Sequence, residues 1–191
     1  MDFVSDQLAA GSAFRVLTVV DQLSRECVAL LADRRLSGAK VAEELSRVCG
    51  ERGLVPESIT SDNGSEFTGR AMEAWAMERG VHLVFIRPGR PTENSFVESF
   101  NGRRRDECLR VNWFPTLGEA RRRLAVWREH YNRQRPHSAL KDQTPAEFAA
   151  RHGGAAGGRF ALSEHRKASF ESRQGFPAAA KAALDSLLRL P

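Results

Sequence analysis

Apolar residues first come in short β-branched runs and later settle into helical spacing. The runs "FRVLTVVD" (14–21) and "ECVALLA" (26–32) are separated by the turn-like "QLSR" and predict adjacent antiparallel strands. "MDFVSD" at the start predicts part of a third. In "GAKVAEELSRVCGERG" (38–53), Val41, Leu45 and Val48 recur at helical spacing, and Gly53 marks the stop. "ESITSD" predicts a strand, "GRAMEAWAMERG" a helix and "VHLVFI" (81–86) another strand. Three consecutive strands followed by strand–helix alternation predict a mixed five-stranded sheet flanked by helices.

The following residues are helical in pattern. "TLGEARRRLAVWREHYNRQRP" opens with Thr116 and Glu119 in capping-box register and carries an apolar stripe of Leu117, Ala120, Leu124, Trp127 and Tyr131. It ends before Pro136. "TPAEF" repeats the device with Thr144, Glu147 and Pro145 at the first helical position. Trp75, Trp127 and Phe100 are expected in the core. From "RHGGAAGGRF" onward the chain has too few apolar residues for a core of its own, so 1–150 is expected to be the folded domain and 151–191 a basic, Gly/Ala-rich, flexible extension.

The longest apolar runs fall short of a membrane span. The N-terminus has no signal-peptide pattern. Three cysteines without CxxC spacing argue against a disulfide framework or zinc site and suit a reducing cytoplasm. The net charge of +5 is unevenly spread: residues 1–86 carry 9 Lys/Arg against 13 Asp/Glu, whereas residues 87–135 carry 12 Arg against 6 acids. Arginine supplies 25 of the 29 positive charges, and its fork geometry suits phosphate. A solvated helix face and a polyanion-binding surface both fit this distribution.

Candidate chemistry begins at "SITSDNGSEFT", where Asp62 ends a strand and Asn63 and Gly64 shape a turn. Glu98 follows after 35 intervening residues, inside "RPGRPTENSFVESFNGRRRDECLR", and Asp2 lies in the first strand. Three carboxylates converging at one rim of a sheet repel each other unless hard, oxygen-seeking cations neutralise them. Mg2+ or Mn2+, as two ions, is therefore the expected cofactor. On the Glu98 helix, Asn94, Glu98, Gly102 and Arg105 fall close to one face, with Phe96 and Phe100 expected buried on another. Gly102 would allow close backbone approach. Arg87 and Arg90 in the preceding loop, with Arg103, Arg104 and Arg105, are candidate phosphate contacts. Asp21 and Asp6 are expected as turn formers or further ligands, Glu66 as a solvated loop acid, and His137 as a structural polar contact ahead of a direct DNA contact.

These blocks resemble the insertion-sequence transposases allied to retroviral integrases, the DDE polynucleotidyl transferases. "MDFVSD" matches the first-aspartate strand, "ITSDNGSEFTG" the second, and "RPGRPTENSFVESFNGRRRDECL" the glutamate helix with that family's 35-residue spacing. "WREHYNRQRPHSAL" followed by "TPAEF" resembles its closing segment. The resemblance covers residues 2–150 and implies an RNase H-like fold and Asp2, Asp62 and Glu98 as catalytic, metal-binding residues. It further implies metal-dependent cleavage and joining of DNA at insertion-element ends, in a homo-oligomeric complex without a membrane partner. Family members carry a Trp shortly before the first aspartate and DNA-binding helices upstream. This chain starts one residue before Asp2, so a truncated chain is expected, either active or a silent remnant that binds DNA or transposase.

Overall fold

The structure is a computed structural model and describes residues 1–87 and 95–152. The sequence-derived extension therefore lies, from residue 153 on, outside the described residues. Strands β1 (Asp2–Gln7), β2 (Ala13–Val20) and β3 (Cys27–Asp33) form an antiparallel sheet in the order β1-β2-β3. Helix α1 (Gly38–Arg52) leads to β4 (Ser58–Ser61), and helix α2 (Arg70–Arg79) connects β4 to the parallel β5 (His82–Phe85). Helices α3 (Ser95–Arg104), α4 (Leu117–Arg133) and α5 (Pro145–His152) complete the described chain.

The sheet departs from the expected five strands. It is a three-stranded antiparallel sheet plus a separate two-stranded parallel pair. The physical reason is short overlap between β1 and β4. Among the described residues, the Met1 ammonium donates to the Thr60 carbonyl, a single hydrogen bond rather than a ladder.

Strand β2 is central and covered on both faces, which explains its mostly apolar run, with only Arg15 and Thr18 polar. Val16 and Leu17 are adjacent and both inaccessible, yet they belong to different cores. On the Val16 side lie Val4, Phe14, Phe100, Leu124, Trp127 and Tyr131, from the sheet and from α3 and α4. On the Leu17 side lie Val41, Leu45, Ile59, Met72 and Trp75, from α1, β4 and α2. The result is a sheet between two helical layers, with Trp75, Trp127 and Phe100 in the core as expected.

Helix ends follow their local chemistry. Gly53 and Gly80 take left-handed conformations (φ 62° and 64°) that close α1 and α2. Thr116 Oγ1 accepts from the Glu119 N–H at 3.1 Å, but the Glu119 carboxylate turns to Arg122 and Arg123, so only half of the expected capping box forms. At Thr144 and Glu147 both halves form, with N–H donors at 2.9 and 3.2 Å. Phe96 does not share the burial of Phe100; it is 50% exposed. A Cβ at Gly102 would meet nothing within 4 Å, so the chain makes no close approach there.

Candidate active site

Asp2 opens β1 and Asp62 follows β4, and both lie near the Met1 ammonium, which donates to the Thr60 carbonyl of β4. Burial draws the Met1 ammonium down to about 6, opposed by the negative charges of Asp2 and then Asp62 beside it. Each carboxylate is oriented by fixed donors. Asp62 Oδ1 accepts the Gly64 N–H at 3.0 Å, and a Cβ at Gly64 would stand 3.0 Å from that oxygen. Asn63 Nδ2 donates to the Ile86 carbonyl at 2.9 Å, tying the turn to the end of β5. Both residues therefore shape the Asp62 turn, as expected.

Asp2 Oδ1 accepts the Phe3 N–H at 2.7 Å, and Asp2 Oδ2 accepts from Asn101 Nδ2 at 2.7 Å. Asn101 in turn accepts from the buried Thr18 hydroxyl at 2.9 Å. The chain Thr18–Asn101–Asp2 sets the first carboxylate from the helix side. The sequence reading missed Asn101, although a signal was present. Val97, Phe100, Asn101 and Arg104 fall at helical spacing on one stripe of α3, and all four are buried. Asn101→Leu should weaken Mn2+ binding about 10–100-fold, the usual cost of losing a residue that orients a ligand. Calorimetric titration tests this, and unchanged affinity in a folded variant would remove Asn101 from the site.

A second tie joins the two acidic loops. Phe3 stacks on Phe67 at 4.7 Å, the Arg15 guanidinium lies 4.1 Å over Phe3, and Arg15 ion-pairs with Glu66. Glu66 is thus a structural anchor rather than a solvated acid. Its hydrogen bond from Arg15 holds its carboxyl below the ordinary range. A depressed acid stabilises the fold above its unfolded pKa, and that contribution is lost as pH falls through the lower folded value. Glu66→Gln should therefore lower stability at neutral pH and flatten its decline below about pH 4.5. Parallel acid-unfolding curves would contradict this.

The other expected residues divide clearly. Glu98 is exposed on the first turn of α3. Among the described residues, no three His, Cys, Asp or Glu side chains stand close enough to hold an ion, so Asp2, Asp62 and Glu98 are not assembled as a cage. Arg87, Arg103 and Arg105 are exposed, while Arg90 and Asn94 lie outside the described residues. Arg104 is the correction: it is fully buried and cannot touch phosphate in this conformation. Asp21 is a turn former, accepting the Leu23 and Ser24 N–H groups at 2.8 and 3.2 Å. The chain leaves α3 through a π-helical turn, Arg105–Leu109, where the Arg110 N–H reaches back to the Arg105 carbonyl at 2.8 Å.

Two helical layers around a sheet, with carboxylates at its rim, define an RNase H-like α/β domain. The magnesium-bound integrase catalytic core of HTLV-2 superposes with a TM-score of 0.57 at 13% identity, over 77% of this chain and 94% of that one. Two family models described as "Integrase core domain" match residues 1–91 and 79–145. An insertion element IS407 protein of Burkholderia multivorans is 49% identical over 152 residues, 80% of this chain and 54% of its own length. An insertion element IS476 protein of Xanthomonas euvesicatoria is 47% identical over 150 residues, 78% of this chain and 43% of its own. The chain belongs to the integrase-core family, in the branch formed by insertion-element proteins. It spans about half the length of these curated relatives.

Proposed function

We propose that this chain is the catalytic core of a DNA transposase that cuts and joins strands at insertion-element ends. The observation that supports the reading is that Asp2 and Asp62 both lie within electrostatic reach of the Met1 ammonium, each oriented by its own donors. Family membership supports it independently. Asp2, Asp62 and Glu98 are the residues we assign to hold divalent metal, Mg2+ or Mn2+. Their donor set fits: all are carboxylate oxygens, and each bonded oxygen keeps a further lone pair. When bound, two such ions supply Lewis-acid stabilisation of the attacking and leaving oxygens in phosphoryl transfer.

The protein's own part is positioning. Asn101 fixes the Asp2 carboxylate, and the Gly64 N–H fixes that of Asp62. Glu98 enters from α3, so completing the site requires α3 or its side chain to move toward the rim. Exposed Arg87, Arg103 and Arg105, together with Arg90 and Asn94, are proposed to neutralise the DNA backbone, which positions the duplex without reading its sequence. Two DNA ends held together would call for a homo-oligomer. No helix among the described residues is long and apolar enough to cross a membrane.

A second reading is a silent DNA-binding remnant, favoured by Asp2, Asp62 and Glu98 not standing together as a group of three among the described residues. Incubation with Mn2+ and labelled duplexes carrying the ends of its own element decides between them. End-specific nicking and joined products support the transposase core. Binding without either product supports the remnant.

A further inference from the structure

We propose that Arg25 and His137, beside the already assigned Arg103, form a phosphodiester-binding site for nucleic acid. The inference rests on the DNA reading of the preceding section. Three parts of the chain converge here. The β2–β3 turn brings Arg25, α3 brings Phe96 and Arg103, and the segment after α4 brings Arg135 and His137.

Arg25 is held in an unusual way. Its backbone takes a left-handed conformation (φ 62°), uncommon for a long side chain, and its N–H bonds to the Asp21 carbonyl at 2.9 Å. Its guanidinium lies 3.6 Å over the half-exposed Phe96 ring, on the helix that carries Glu98. Stacking covers one face of the guanidinium and leaves its in-plane N–H groups for an acceptor, which a phosphate can engage as a fork. Arg25 Nη1 is buried and has no hydrogen-bond partner among the described residues. His137 Nε2 is in the same state, although the imidazole is fixed edge-on to Tyr131 at 4.9 Å. Two dry, unsatisfied nitrogens are costly unless a ligand satisfies them.

The charge around them is positive. Burial lowers the His137 pKa, and Arg103, Arg135 and Arg25 beside the ring lower it further. Glu107 neutralises Arg135 through two 2.7 Å contacts. The other nearby acids are engaged: Asp21 caps its own turn, and Glu26 pairs with Arg52. Arg103 is exposed on α3. Two guanidinium groups and an imidazole donor on separate elements therefore await an anion. A role for Arg25 in packing alone accounts for the stack on Phe96 but leaves both nitrogens orphaned.

The phosphate oxygens could come from a DNA backbone or from free phosphate, and the test separates them. Binding of the full chain to a labelled duplex is followed by anisotropy over a range of salt concentrations. Arg25→Met should weaken binding about 3–10-fold and reduce the slope of log affinity against log salt by about one. Arg25→Lys keeps the charge and should keep the slope, which a packing role would not predict. Arg25→Gln, which keeps a polar head over Phe96, should repeat the slope change if Arg25→Met does not fold. His137→Phe keeps the ring against Tyr131 and should weaken binding with the slope unchanged.

An unchanged slope in a folded Arg25→Met or Arg25→Gln variant, against a wild type that binds duplex, would overturn the site. If the wild type does not bind duplex, the DNA reading fails instead. Inorganic phosphate is then the probe: a thermal shift in wild type that Arg25→Met abolishes identifies a free-phosphate site, and no shift overturns the inference.

Discussion

Metal-dependent cutting and joining is expected to fall at least about 100–1000-fold in Asp62→Asn and in Glu98→Gln, the range seen when one electrostatic stabiliser of a transition state is removed. Both variants should fold normally. Asn keeps an oxygen where Asp62 accepts the Gly64 N–H, and Glu98 is exposed on α3. DNA affinity should stay equal or rise, because each change removes a negative charge near phosphate. The split between retained binding and lost chemistry is the informative readout. Loss of both would point to a role for these acids in the fold. Retained chemistry in either variant would remove that carboxylate from the site.

The second large effect runs in the stabilising direction. Arg104 is fully buried, and none of its three guanidinium nitrogens has a hydrogen-bond partner. Burial pulls its pKa down to about 10, against the pull of the Cys27 and Cys108 thiols and Asp2 around it. The folded pKa lies below the ordinary Arg value, so the penalty is present at every pH below about 10 and fades only above it. Replacing buried charges by hydrophobic groups of similar volume is often stabilising by about 1–4 kcal/mol. Arg104→Met should therefore raise the melting temperature by several degrees, at about 2–4 °C per kcal/mol for a chain of this size. It should also leave DNA affinity and its salt slope unchanged. A lower melting temperature would mean that the guanidinium has a partner in solution, with Asp2 the first candidate.

Arg104 also shows where reading the chain residue by residue misleads. Within "NGRRRDE", three adjacent arginines look like one basic cluster, yet a helix turns neighbours about 100° apart. Arg103 and Arg105 face solvent, while Arg104 follows Phe100 by four residues and joins its buried stripe. The same periodicity would have placed Asn101 inward. Charge outweighed spacing in the sequence reading, and spacing was the better guide.

The local elements were legible from sequence because they depend on short-range patterns. The β2 run, the α1 stripe ending at Gly53, the turn at Asp62 and the paired cap at Thr144 and Glu147 each use residues within a few positions of one another. Asp2, Asp62 and Glu98 could be named as candidates for the same reason, since each sits in a recognisable local block. Tertiary structure decided what depends on distant partners. It divided the expected five-stranded sheet into three strands and two, because β1 and β4 meet at one hydrogen bond. It made Glu66 an anchor for Arg15, 51 residues away, and linked Asn101 to Asp2, 99 residues away. It also set Arg25 over Phe96 and left Asp2, Asp62 and Glu98 unassembled as a group of three. Short-range patterns specify each strand and helix, but contacts between residues far apart in sequence arise only when those elements pack, and pairing of carboxylates is such a contact.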